Sequence, residues 1–258
     1  MIAPVTTRVS GAKRLRAWNL GMAALHVAQG VLMWVLANDF ALPIRASFLR
    51  DDGAGLDAVP ETIVTVRIGA LVASFLFLSG VAHVVLATVA RRWYERMLQR
   101  GIQPARWIEY SVSASLMIVV IAMLTGIYEL SALVTLFALN ATMILFGWVM
   151  EVRNEGRASI DWLPFWFGVF AGAVPWVVIG IYLFGAGGDG GSPPGFVYAI
   201  FASLFVFFNV FAVNMALQYV RVGRWRDYLF GERVYLWLSL LAKSALAWQV
   251  FAGTLRPS

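Results

Sequence analysis

Lys243 stands in the middle of LSLLAKSALAWQVFAG (238–253), a run with no other charge, and the chain has only one further lysine, Lys13, near its start. A lysine among leucines and alanines has two chemical uses: half of an ion pair, or the reactive amine of Schiff-base chemistry. Either use calls for a carboxylate close by. Thirteen of the fourteen acids fall between the apolar stretches or at their ends, and Glu109, in RWIEYSVSASLMIVVIAML, alone falls inside one. A competing arrangement pairs Glu109 with Arg106 one turn away at the membrane edge, which leaves Lys243 without an acid in any stretch. Two histidines make a second constellation, His26 in AALHVAQG and His83 in SGVAHVVLA. A single helical histidine is commonly a hydrogen-bonded core residue. A pair at similar depth, with Gln29 one turn after His26 and Ser79 one turn before His83, reads as a polar pocket that holds water and accepts protons near neutral pH.

The elements that carry these residues are membrane helices. The 258 residues are 60% hydrophobic and 13% charged, with a mean hydropathy of +0.76, whereas soluble domains are about 25% charged. A helix needs roughly 20 mostly apolar residues to cross a bilayer core. Seven stretches qualify, near 18–37, 64–90, 107–127, 130–150, 162–184, 196–220 and 235–254. Together they predict an all-α seven-transmembrane bundle forming one domain over residues 1–258. The first stretch lacks a small-residue cleavage site and runs on into further spans, so it is expected to be a permanent helix rather than a signal peptide. The absence of cysteine excludes disulfides and thiolate metal sites and leaves the redox compartment undetermined.

Charge in the connections orients the bundle, because cytoplasmic loops collect Lys and Arg. Fifteen basic residues share one side: Arg8, Lys13, Arg14 and Arg16, then Arg91, Arg92, Arg96, Arg100 and Arg106, then Arg153 and Arg157, then Arg221, Arg224, Arg226 and Arg233. Arg45, Arg50 and Arg256 make three on the other side, and Arg67 and Lys243 fall within spans. The N-terminus is therefore expected inside and the C-terminus outside, in a cell membrane. Ten residues separate Arg233 from Lys243, which puts the lysine ~15 Å deep, too far for its stem to snorkel out. A charge at that depth costs at least ~2.5–3.5 kcal/mol and normally faces the bundle interior. Helical side chains lean toward the N-terminus, so the Lys243 amine leans toward the level of Glu109.

The first outside connection, 38–62, is long and acidic, with turn signals at Asp51-Asp52-Gly53 and Pro60 that suit a cap or β-hairpin. GAGGDGGSPPG, 185–195, reads as a flexible linker. No internal repeat suggests a two-fold transporter architecture. Trp248, five residues past Lys243, is placed to wall a site around it. Pro175, inside the fifth span, removes a backbone hydrogen bond and can open space beside Trp176, or merely kink the helix.

Seven spans, a lysine at the centre of the seventh and an acid early in the third resemble the retinal-binding rhodopsins. With the N-terminus inside, the chain is similar to the heliorhodopsins, the branch with inverted orientation. The resemblance runs through ANDFALP (37–43), RWIEYS (106–111), MILFGW (143–148), LPFWFG (163–168), VPW (174–176), PGFVY (194–198), FFN (207–209) and LLAKSALAWQVFAGT (240–254). It implies all-trans retinal as cofactor, bound as a Schiff base on Lys243 with Glu109 as counterion. His26, Gln29, Ser79, His83, Ser239 and Trp248 would form the cytoplasmic-side polar cavity. Tyr110, Ser113, Met117, Asn140, Met143, Ile144, Gly147, Trp166, Pro175, Trp176, Phe205, Phe208 and Asn209 would form the retinal pocket. The family further implies a homodimer and a two-stranded sheet in the first outside loop.

A proton pump of this layout would use an acid four residues before the lysine and another eleven residues after the third-helix counterion; this chain has Ser239 and Val120 there. The expectation is thus a light-sensing retinal protein with a slow signalling-type photocycle, no net ion pumping and no enzymatic activity. Two alternatives stand beside it: a light-gated proton or ion conductor, and a seven-helix membrane hydrolase, for which two histidines and one buried acid are a thin set of metal ligands. Expected partners are retinal, membrane lipid, a second copy of the chain and an unknown cytoplasmic signalling protein, with no nucleic acid. The arginines at 91–106 and 221–233 suit such a protein or anionic headgroups equally.

Overall fold

The computed structural model describes residues 5–51, 55–185 and 191–256, with side chains from Leu15 onward. Helix α1 (Val5–Leu36) leads into a hairpin of β1 (Ala41–Asp51) and β2 (Leu56–Arg67), followed by α2 (Ile68–Ala87), a short α3 (Arg91–Arg100), α4 (Pro104–Leu124), α5 (Leu130–Asn154), α6 (Leu163–Gly185), α7 (Gly195–Val220) and α8 (Tyr228–Val250). Among the described residues seven helices are long and apolar enough to cross a membrane: Leu15–Leu36 of α1, then α2, α4, α5, α6, α7, and Tyr228–Leu255, which is α8 with its terminal π-helical turn.

Local chemistry sets the helix ends. Gly101, in the left-handed region at φ +75°, closes α3, and Pro104 opens α4 where its missing N–H is no loss. Asp227 caps α8, its Oδ1 accepting from the Leu229 N–H at 3.0 Å. Helix α3 is too short to span at about 15 Å. It buries Tyr94 and Leu98, one turn apart, and exposes Arg92 and Arg96.

The spans differ from the sequence expectation in three places. Residues 64–67 belong to β2, so Arg67 is not in a span; it pairs with Asp39 beside the hairpin. Helix α8 begins at Tyr228 rather than near 235, and α5 runs past 150 to Asn154. Those extensions bring Glu232 and Glu151 inside helices, where both are buried. Glu109 is therefore not the only buried acid.

The expected hairpin is present and antiparallel, with Phe48 opposite Val59 and Leu42 opposite Val66. Pro60 is not a turn residue: it lies in β2 opposite Ser47. Ser47 instead turns its N–H to Glu129 Oε1 at 2.9 Å, so the pair needs no ladder bond from the proline nitrogen. Of the expected turn and linker, residues 52–54 and 186–190 lie outside the described residues, and Asp51 is the last residue of β1. A register shift between Ile44 and Arg45 frees the Arg45 N–H to donate to Tyr128 O at 2.8 Å, tying the sheet to the α4–α5 turn. Asn38 Nδ2 donates to the Thr254 and Arg256 carbonyls, each at 2.9 Å, binding the hairpin's root to the chain end.

The hairpin half of the bundle is filled by apolar side chains. Met33, Phe75, Ile121, Leu246 and Val250 are all buried there. Trp176 of α6 meets Phe201, Phe205 and Phe208 of α7 edge-on at 5.4–5.5 Å between ring centroids, contacts worth roughly 0.5–1.5 kcal/mol each beyond burial. The buried ionisable side chains concentrate from Lys243 toward the opposite, arginine-rich end.

Candidate functional site

Lys243 sits two-thirds of the way along α8 and is buried. Its Nζ lies 3.3 Å from Glu109 Oε1 on α4 and 2.8 Å from Ser239 Oγ, one turn back on α8. The same Glu109 oxygen is 2.6 Å from Ser79 Oγ on α2. The Tyr110 ring lies 4.8 Å from the amine, a cation–π distance, and its hydroxyl donates to Tyr235 O at 3.0 Å. Three helices thus converge on one amine.

Arg106 takes no part in this pair. Its two terminal nitrogens are engaged one turn away, Nη2 donating to Glu151 Oε1 at 2.6 Å and Nη1 to Glu232, with the guanidinium over the Trp107 and Tyr235 rings at 4.4 and 3.9 Å. Glu151 also accepts from Trp107 Nε1 at 2.7 Å and from the Gln103 N–H at 2.8 Å. The edge of the bundle is therefore farther out than Arg106, so Glu109 lies deeper than its position in the sequence suggests. This cluster escaped the sequence reading, although Glu151 and Glu232 each stand within three residues of an expected span boundary.

His26 and His83 stack, ring centroids 5.6 Å apart and planes 8° from parallel. His83 Nδ1 is 2.8 Å from Asn19 Oδ1. His83 and Glu109 share the lining of a cavity of about 30 Å³ with Asn19, Arg106 and Glu232. Of the residues expected to form a polar cavity, His83 is in that lining and His26, Gln29, Ser79, Ser239 and Trp248 are not; Trp248 Nε1 donates to Gln29 Oε1 at 3.0 Å along the seam of α1 and α8, where the tryptophan is 38% exposed.

A second, apolar cavity of about 130 Å³ reaches Lys243 from between α4, α5, α6 and α7. Of the pocket residues expected from the sequence, Tyr110, Met117, Met143, Ile144, Gly147 and Phe208 line it. Ser113, Asn140, Pro175 and Trp176 are buried but do not line it; Asn140 Nδ2 donates to Ser115 Oγ at 3.0 Å. Trp166 (62% exposed), Phe205 (43%) and Asn209 point outward. Helical rotation explains the correction: Phe205 and Asn209 form one outer stripe of α7, while Phe208, Phe211 and Met215 form the inner one. On α6, Phe165 and Gly168 face in where Trp166 cannot. Trp107 and Tyr235 complete the wall, and a Cβ on Gly147 would run into the Trp107 indole.

A nearly apolar cavity whose lining includes a single buried amine suits a polyene aldehyde: the walls offer van der Waals contact and the amine offers a covalent attachment point. Retinal fits such a lining: Lys243 would hold it, and Tyr110, Met143, Phe208 and Phe211 would flank it. Among the described residues no group of three or more His, Asp or Glu side chains could hold a metal ion. The family model described as Heliorhodopsin matches residues 15–255. No curated protein matches the chain.

Proposed function

Because the chain belongs to the heliorhodopsin family, and is thereby a retinal-binding, light-sensing membrane protein, we propose that it is a slow, signalling-type photoreceptor that moves no net ions. The observation that carries this reading is the Lys243 amine, buried in the lining of the apolar cavity and 3.3 Å from Glu109. Lys243 Nζ would hold all-trans retinal as a Schiff base, water being the leaving group, and the bound chromophore would supply visible absorption and light-driven isomerisation.

The chain's own residues then manage one proton. Ionised Glu109 stabilises positive charge at the Lys243 nitrogen, and Ser239 and Ser79 hold the two partners in register. The apolar cavity walls keep water from the attachment point. His26 and His83 are the proposed acceptors when the proton leaves.

Absence of pumping rests on where the remaining acids go. Ser239 occupies the position four residues before the lysine, and Val120, eleven after Glu109, is buried among apolar groups. Glu151 and Glu232 are held on Arg106 rather than free to relay protons. We further propose a single-domain homodimer in the cell membrane, with the arginine-rich end and N-terminus cytoplasmic and facing a signalling partner.

The test is reconstitution with all-trans retinal. A visible band that is lost in Lys243→Ala supports the reading, and its absence in the wild type sinks it. Under voltage clamp, sustained light-driven currents would replace the sensor with a proton or ion conductor.

A further inference from the structure

Asn19 is wholly buried on α1, and each of its amide atoms has a defined partner. Nδ2 donates to Leu15 O at 2.9 Å and to Tyr94 OH at 3.3 Å. A backbone carbonyl only accepts, so the atom facing Leu15 must be the NH2 group and the other must be oxygen. That oxygen, Oδ1, faces His83 Nδ1 at 2.8 Å. An amide oxygen only accepts as well, so Nδ1 must carry the hydrogen. Burial raises the pKa of the Tyr94 phenol, so its oxygen stays protonated and remains an acceptor for Asn19.

The other ring nitrogen, Nε2, is buried and has no hydrogen-bond partner among the described side chains and backbone. In a neutral ring whose Nδ1 bears hydrogen, Nε2 is the lone pair. His26 has no such tether, since neither of its nitrogens has a hydrogen-bond partner among the described residues. The two stacked rings are therefore unequal: one has its tautomer imposed from α1 and α3, the other is free to choose. His83 also lines the cavity that contains Glu109, and Ser79, one turn earlier on α2, bonds that carboxylate.

We propose that Asn19 is a positioning residue that fixes His83 in the Nδ1–H tautomer and so makes Nε2 the proton-accepting atom of the histidine pair. A proton reaching the pair adds to the Nε2 lone pair and gives an imidazolium with N–H on both nitrogens, the Nδ1–H still held by Asn19. This assignment rests on the proposed role of the histidines as acceptors, whereas the tautomer itself can be read without retinal.

The experiment is nitrogen NMR of 15N-histidine-labelled protein without retinal at neutral pH, the two histidines being assigned with His26→Gln. The wild type is expected to give a pyrrole-type Nδ1 and a pyridine-type Nε2 for His83. Asn19→Leu should shift both resonances toward an average or the opposite tautomer, Asn19→Asp should restore the Nδ1–H, and Tyr94→Phe should leave it unchanged because Leu15 still orients the amide. A wild-type His83 that carries hydrogen on Nε2, alone or on both nitrogens, overturns the proposal, as does a tautomer unmoved by Asn19→Leu. Should Asn19→Leu fail to fold, the wild-type, Asn19→Asp and Tyr94→Phe spectra still decide. In retinal-loaded protein, Asn19→Leu should slow light-driven loss of the Lys243 proton severalfold, and an unchanged rate counts against the proposal. Failure of the retinal reading would show separately, as the absence of any visible band.

Discussion

Glu109 offers one oxygen, Oε1, to Lys243 Nζ at 3.3 Å and to Ser79 Oγ at 2.6 Å, so the carboxylate that balances the amine is itself fixed from a third helix. An oriented carboxylate beside a buried nitrogen stabilises positive charge there without reorganisation.

Glu109→Gln removes that charge but keeps the shape. In retinal-loaded protein the visible band should be lost at a pH about 1–3 units lower than in the wild type, the usual effect of an opposite charge at this distance. A pH titration of the band checks it, and an unmoved midpoint would remove Glu109 as counterion.

Ser79→Ala leaves Glu109 without its α2 partner while Lys243 and Ser239 remain. The same titration should shift in the same direction as Glu109→Gln but by less. A net change of about 0.5–1.5 kcal/mol is typical of one hydrogen bond, or more for a charged acceptor.

Arg106→Gln would strand two buried carboxylates. Loss of about 3–5 kcal/mol of stability is expected when one member of a buried ion cluster is removed, measured by thermal unfolding in detergent. Adding Glu151→Gln and Glu232→Gln to that variant should recover much of the loss, because no unpaired charge is then left buried.

Gly147→Val pushes a side chain into Trp107 at the cavity wall. Overpacking of this kind costs about 1–3 kcal/mol. The ratio of visible to protein absorbance after retinal addition should fall, with helix content by circular dichroism retained.

Glu155, paired with Arg100 at 2.7 and 2.8 Å on the surface, is held below the ordinary carboxylate range by that guanidinium. A lowered folded-state value means the pair's stabilisation is complete above the ordinary carboxylate pKa and fades as pH falls through the lowered one. Both groups are solvent-exposed, so Arg100→Ala should leave the melting temperature near neutral pH almost unchanged.

Scarcity of charge made the centre of the site legible. With two lysines and long uncharged stretches, the position of Lys243 already demanded a buried acid, and Glu109 stood inside the third span. The hairpin was legible from the length of 38–62, although Pro60, read there as a turn signal, lies within β2. The β-branched run TIVTVR at 62–67 was not: its isoleucine and valines adjoin the apolar helix that follows without a break, so hydropathy alone merges the two.

The sequence by itself determined the seven membrane stretches, the buried lysine and its acid, because the cost of placing charge in hydrocarbon leaves few arrangements. Tertiary structure alone decided which face of each helix turns inward. A helix between lipid and protein is apolar on both sides, so Trp166 and Phe165, or Asn209 and Phe208, are indistinguishable until neighbours fix the rotation. It also decided the fate of Glu151 and Glu232: at the end of a span an acid is solvated or buried according to whether another helix brings a partner, and here α4 brings Arg106.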